Sequence, residues 1–480
     1  MKVRSPYTVL LAVFVVSRAG YYLAGVRFDA RPVLHYFQFI DPELLKHRLL
    51  ESLFYLHVQP PGFNLFAGVV LKSFPVSYTA AFHIIHLLLG AGICALTYHL
   101  MSVCRVGPRL ATALAGLFTV SPAVVLFENY LLYEYLVAFL LLAAAALLFQ
   151  LMRDGGFGYA VAFFTALLLL VLVRNFFHLV YFLAVFGLVL YLGRHHRKTI
   201  LLSGLAPLLV VLGLYTKNWV LFGSFSGSTW LGMTLDTITA HQLTEAEARR
   251  FVSTGMISPV SRLDAGAPLR LYRPYIHPPR KTGIPVLDEE VTSTGATNFN
   301  NLAFLEIQRL YVRDGLTLLR RYPVVYLRSL EAAWFTYFLP AGDFPFFDLN
   351  GPRIHALDRL FNIVVFGQFR EAADRKELRV WYAQGTRAGL VLYTGLFLLI
   401  GLPLLWTWSA WYLVTGVRRG TLEKPVAILL GFLLFNNAFL TAVANLLSSF
   451  ENNRYRFQFD AFFVVLAGLA IEWLWNRKRL

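Results

Sequence analysis

Residues Pro6–Gly25 (PYTVLLAVFVVSRAGYYLAG) run straight into Arg27-Phe28-Asp29. Twenty apolar residues are what an α-helix needs to cross hydrocarbon. This run therefore reads as a membrane span that delivers a carboxylate to the bilayer surface within a few residues of its end. Asp41-Pro42-Glu43 and then His57-Val58-Gln59-Pro60-Pro61-Gly62-Phe63-Asn64 follow before the next long apolar run. A carboxylate beside hydrocarbon costs several kcal/mol and is usually kept for a task. The reading that follows is an all-α polytopic membrane protein with a functional pocket at one bilayer surface.

Composition agrees. The 480 residues are 57% hydrophobic and only 15% charged, where a soluble domain carries about a quarter charged residues. Aromatics make up 16%, as interfacial belts and lipid-facing grooves require. The net charge of +16 would point to nucleic acid in a soluble chain. Here the basic residues mostly flank apolar runs, so no nucleic-acid partner is expected. The two cysteines, Cys94 and Cys104, suit neither a disulfide framework nor a metal cluster. The basic start with its apolar run could pass for a signal peptide. Its length, the interruption by Arg18 and the lack of a small-x-small site favour an uncleaved anchor.

Span-length runs occur at 6–26, 78–101, 109–126, 130–151, 157–173, 176–193, 199–221, 388–414, 425–447 and 457–475, about ten transmembrane helices. An even number predicts both termini on one side. Lys2 and Arg4, Arg105 and Arg109, Arg153, Arg194 to Lys198, Arg418 to Lys424 and Arg477 to Arg479 then share a face, which the positive-inside rule makes cytoplasmic. Three parts result. Residues 1–221 are an N-terminal transmembrane module with an outer first loop at 27–77. Residues 222–387 are a large extracytoplasmic region, and 388–480 hold the C-terminal spans. Within the large region, 288–301 reads as turn-rich and mobile, and 322–335 as a helix lying on the outer surface. Phe63–Phe74 reads as a short surface helix whose entry Pro60-Pro61 sets.

Three groups of residues could carry chemistry. Asp29 and Asp41 in the first loop are candidate general bases toward a hydroxyl. Their structural alternatives are pairing with Arg27 or Arg31, and N-capping ahead of Pro42. His57 and Gln59 could bind a polyhydroxylated substrate or a metal, and Glu128 and Glu134 at the next outer turn could bind substrate; the alternative for all four is a turn or cap role. Arg18, Arg174, Lys217, Arg454 and Arg456 are cations kept in or on the outer side of the membrane. They point to an anionic ligand, phosphate above all, since guanidinium offers it a matching fork. Snorkelling to headgroups, or pairing with Glu451 or Asp29, is the alternative. His83 and His86 lack a third ligand, and a divalent cation is not indicated. Phosphate-loop, dinucleotide and nucleophile-elbow motifs are absent, so no soluble nucleotide cofactor is expected.

Five stretches together resemble the GT-C superfamily of polytopic glycosyltransferases, the group of protein O-mannosyltransferases and lipid A aminoarabinose transferases. They are Phe28-Asp29 to Asp41; His57-Val58-Gln59-Pro60-Pro61; Glu128-Asn129-Tyr130-Leu131-Leu132-Tyr133-Glu134; Lys217 to Ser226; and Glu451 to Arg456. Many members carry adjacent first-loop carboxylates, whereas here Asp29 precedes Ala30 and Asp41 precedes Pro42. The resemblance implies a GT-C-like helical bundle. It also implies a hexosyl or pentosyl transfer, with inversion, from a polyprenyl-phosphate-linked sugar donor to a glycan, lipid or protein acceptor of the cell envelope. A first-loop Asp would be the base and fixed cations would hold the lipid phosphate. The implied place is the outer face of a bacterial inner (plasma) membrane. Two other readings use some of the same residues. A transporter or flippase of a lipid-linked or anionic solute would explain Arg18, and requires broken helices near the midplane. An O-antigen ligase or polymerase type would use the outer arginines without the first-loop carboxylates.

Overall fold

The computed structural model describes residues 5–371, 391 and 393–477. Lys2, Arg4, Lys478 and Arg479, and the junction at 372–390, lie outside the described residues. Among the described residues the chain is helical, and β-structure is limited to two isolated bridges, Asp29 with Tyr130 and Val291 with Thr297.

Among the described residues, six helices are long and apolar enough to cross a membrane: Pro6–Leu23, Tyr78–Val103, Tyr133–Asp154, Arg197–Phe222, Leu396–Arg418 and Lys424–Leu447. A bent pair, Pro108–Val120 and Pro122–Glu128, makes a seventh if it is one span. Phe157–Val173 and Leu179–Leu192 are apolar but shorter than span length. The protein is an integral membrane protein with an all-α architecture; among the described residues six or seven helices reach span length, joined by shorter apolar ones. The last helix, Asp460–Arg477, carries Asp460, Glu472 and Arg477 and so falls short as an apolar run.

Tyr133–Asp154 is the centre of the bundle. It packs on Tyr78–Val103, Phe157–Val173 and Lys424–Leu447. Its Ala143-Ala144-Ala145-Ala146 run keeps the surface low enough for neighbours to approach closely, the device that packs helices where water provides no driving force. The bend of 56° falls at Ser121-Pro122. Proline has no N–H for the helical ladder and its ring clashes with the preceding turn. Ser121 caps the new helix by accepting from the Val124 N–H. The bend sets Glu128 under Arg18 of the first helix, whose Nε and Nη2 donate to its two oxygens at 2.9 and 2.7 Å. Tyr135 donates to the same carboxylate at 2.7 Å.

The large region has a small core of its own, with Met233, Tyr272, Phe304, Ile307 and Tyr311 packed around Val58 of the first loop. Leu231–Ile238 lies on Ala303–Arg321, and only glycine fits at 232, where a Cβ would stand 2.3 Å from the Gln308 carbonyl oxygen. The turns at 288–301 are held by side chains: Asn298 Nδ2 donates to the Val286 and Glu289 carbonyls. Val324–Tyr337 is a helix of 14 residues, too short to span, and it packs on Lys424–Leu447 and Asn452–Phe457.

Candidate functional site

A cavity of about 530 Å³ opens where the first loop, the connection between Phe157–Val173 and Leu179–Leu192, the start of the large region and the Glu451–Tyr455 turn meet. Its wall mixes two kinds of surface. Val180, Phe225, Leu231 and Leu447 are exposed apolar side chains. Arg174, Arg454, Gln38, Gln59, Asn175 and Glu451 supply the polar part.

The charged centre is built from three elements. Tyr133-Glu134 opens the central helix, so Glu134 is fixed in its first turn. Arg174 follows the Phe157–Val173 helix directly. Arg454 sits in the short Asn452–Phe457 helix. Glu134 is sealed, with Arg174 Nη1 at 3.2 Å and Arg454 Nε at 3.4 Å from the same oxygen. Two buried guanidiniums thus share one buried carboxylate. Arg174 is stacked among the rings of Tyr133, Phe176 and Tyr455 at 4.2 to 4.7 Å. Its Nε is buried with no hydrogen-bond partner among the described residues. Arg454 Nη1 donates to the Tyr36 hydroxyl at 2.7 Å and Nη2 to the Tyr455 hydroxyl at 3.2 Å. Nη2 also meets Glu451 Oε2 at 2.7 Å. Tyr36 belongs to the first loop, so that loop is bonded to the cation it faces. Gln59 also reaches the wall, where Asn175 Nδ2 donates to its Oε1 at 3.0 Å.

Of the residues singled out in the sequence, Gln59, Arg174 and Arg454 line this cavity, and Glu134 lies directly behind it. The others are placed elsewhere, each for a visible reason. Asp29 is 2% exposed and both its oxygens accept from Arg31, which also reaches Asp348. Asp41 caps the Pro42–His47 helix and accepts from the N–H and hydroxyl of Ser293, which ties it to the large region. His57 is buried between Thr229 Oγ1 at 2.8 Å and the Asn300 carbonyl at 3.0 Å. Burial lowers its pKa to about 3, so the ring is neutral. Lys217 donates to the Phe54 and Leu56 carbonyls at 2.9 and 2.7 Å. Arg456 pairs with Asp460 and donates to the Tyr337 and Leu339 carbonyls. Arg18 and Glu128 satisfy each other inside the bundle. These cations therefore have two uses: some staple the first loop and the large region to the bundle, and two face the cavity.

Sequence reasoning did not single out Tyr133, Tyr455, Asn175 and Trp230 of the wall, nor Glu451 except as a partner for arginine. Aromatic residues at span ends are too common to signal a site. Among the described residues, no three His, Cys, Asp or Glu side chains gather where they could hold a metal ion.

No protein-family model and no curated protein matches the chain. Among solved structures, the archaeal oligosaccharyltransferase AglB from Archaeoglobus fulgidus, in complex with an inhibitory peptide and a dolichol-phosphate, is similar over 98% of this chain. The identity is 13% and the TM-score 0.36, and the chain spans half of AglB's length (50%). ArnT from Cupriavidus metallidurans bound to undecaprenyl phosphate is similar over 96% of this chain and 76% of its own, with 14% identity and a TM-score of 0.31. Its apo form gives 97%, 77%, 13% and 0.29. At these scores the likeness assigns no residue and no chemistry.

Proposed function

We propose that the protein is a membrane glycosyltransferase that moves a sugar from a polyprenyl-phosphate donor to an acceptor on the extracytoplasmic face. The observation that carries this reading is the placing of Arg174 and Arg454, both buried, in the wall of a cavity with exposed apolar side chains. An amphiphile with an anionic head and a hydrocarbon tail fits such a surface. Phosphate is the anion that best matches paired guanidinium forks. Gln38, Gln59 and Asn175 supply amide donors and acceptors suited to sugar hydroxyls. Hexosyl and pentosyl donors, and glycan, lipid and protein acceptors, all remain within this reading. So does a bacterial inner membrane with both termini inside.

The reaction follows from that arrangement. An acceptor hydroxyl loses its proton to a carboxylate. Its oxygen attacks the anomeric carbon and inverts it. The bond from that carbon to the phosphate oxygen breaks, and polyprenyl phosphate leaves with its added charge held by Arg174 and Arg454. Fixed cations aimed at charge that develops in the transition state are usually the largest single contribution to such a step. Asp29 is the proposed base. Its place is fixed by the bridge to Tyr130. Asp29 stands outside the cavity wall, paired with Arg31, whose side chain is half-exposed, and this reading requires that ion pair to open toward an acceptor.

Mass spectrometry of lipids copurifying with the full chain tests the reading. A polyprenyl phosphate carrying a sugar is expected. Enrichment of bulk phospholipid only, with no isoprenoid phosphate retained even after addition of undecaprenyl phosphate, overturns it.

A further inference from the structure

The cavity holds one carboxylate of a different kind from Glu134. Glu451 is the sole acidic side chain in the cavity wall among the described residues. It stands at the N-cap of Asn452–Phe457, yet its side chain makes no cap hydrogen bond. Its Oε2 instead meets Arg454 Nη2 at 2.7 Å. Glu134 is fully buried and bridges both guanidiniums, whereas the Glu451 side chain is 26% exposed and touches one nitrogen of one of them. Glu134 is therefore locked, and Glu451 is free to swing out.

Charge sharpens the contrast. Arg174 and Arg454 bring two positive charges and sealed Glu134 one negative, which leaves one positive charge facing the cavity. Glu451 cancels it. An arriving phosphate seeks the same guanidinium, and two anions on one cation repel each other. Arg454 does not need Glu451 to keep its position, since Tyr36 and Tyr455 hold Nη1 and Nη2.

We propose that Glu451 is a built-in stand-in for the donor phosphate: it holds Arg454 before the donor arrives and is displaced when the lipid phosphate binds. The inference rests on the lipid-phosphate reading of the cavity. Donor binding thereby releases a carboxylate into the cavity only once the phosphate is seated. The affinity for the anion is also held below what the bare cation pair would give, which eases release of the polyprenyl phosphate product.

Binding of farnesyl phosphate to the full chain in detergent micelles tests this, with farnesol as the uncharged control. Glu451→Gln is expected to tighten farnesyl phosphate about tenfold, the scale of one modest charge interaction, and to leave farnesol unchanged. Glu451→Ala must shift in the same direction, which separates loss of charge from any packing effect of glutamine. If both substitutions weaken farnesyl phosphate or leave it unchanged while Arg454→Ala weakens it, the stand-in is wrong and the phosphate site stands. If Arg174→Ala with Arg454→Ala binds farnesyl phosphate as tightly as the wild type does, both the stand-in and the phosphate site fail.

Discussion

Buried charge in this protein follows one rule at the level of single residues: it is paired, and the pairing decides its use. Arg18 and Glu128 match two nitrogens to two oxygens, which leaves the pair nothing to offer a ligand. Removing one partner strands a buried charge, so Glu128→Gln should cost about 3–5 kcal/mol. Thermal unfolding in detergent will show this as a large fall in Tm; an unchanged Tm would mean that Arg18 finds water. Arg174 and Arg454 share one oxygen of Glu134, and that deficit faces the cavity. Asp29 makes a separate prediction: Asp29→Asn should abolish transfer while leaving lipid phosphate binding within about twofold. Full transfer by that variant would move the base to another carboxylate.

Asp236 is the exception to the pairing rule. Both its oxygens are buried with no hydrogen-bond partner among the described residues. Burial first, and then the charges of Asp264 and Asp314, push its pKa well above the usual carboxylate value. The folded state thus holds this proton more tightly than the unfolded chain does. Its contribution to stability is complete below the ordinary pKa of about 4 and is lost as pH rises toward the folded value. Asp236→Asn should raise Tm more at pH 8 than at pH 4. An equal loss at both pH values would show that the carboxyl is instead needed for packing. Much of this scale was legible in the chain. Arg174 and Arg454 stand out in the sequence because they fall at the span ends expected to be outer, against the usual charge bias. Asp41 before Pro42 carries the signature of a cap, and a cap is what it is. Glu134 was visible only as an acidic residue at a turn, because its two partners come from positions 174 and 454, distances that no local pattern encodes.

Helices place these residues, and glycine and proline place the helices. Gly62 opens the Gly62–Ser73 helix against the Leu172 carbonyl, where a Cβ would lie 2.7 Å from the oxygen. That contact sets Gln59 and Pro60 against Asn175 in the cavity wall. Gly62→Ala should force the two segments apart, costing about 1–3 kcal/mol and weakening farnesyl phosphate binding without touching any charged group. Retention of wild-type affinity and Tm would show that the first loop is not coupled to the cavity in this way. The long apolar helices were readable from composition because twenty apolar residues have few other uses. The Phe157–Val173 helix coincides with the apolar run at 157–173, and Leu179–Leu192 is a few residues shorter than the run at 176–193. The Pro108–Glu128 stretch reads as one apolar segment, and only the Ser121-Pro122 break marks its bend.

For the whole molecule, the governing feature is that the first loop and the large region close over the same end of the bundle. His57 and Val58 bond to Asn300, Lys217 holds the Phe54 and Leu56 carbonyls, and Arg456 clasps the end of Val324–Tyr337. The basic residues on the opposite end predict that this end is outside. Both native cysteines are buried, so single cysteines can report sidedness. Lys281→Cys should react with an impermeant maleimide in intact cells, and Arg153→Cys only after lysis. The reverse pattern would turn the protein over.

Native mass spectrometry of the full chain with equal amounts of undecaprenyl phosphate and undecaprenol is the most direct measurement. The wild type should retain the phosphate in clear preference to the alcohol, and Arg174→Ala with Arg454→Ala should erase that preference while still binding isoprenoid. Equal retention of alcohol and phosphate by the wild type would contradict a cavity built around two guanidiniums to receive a lipid phosphate.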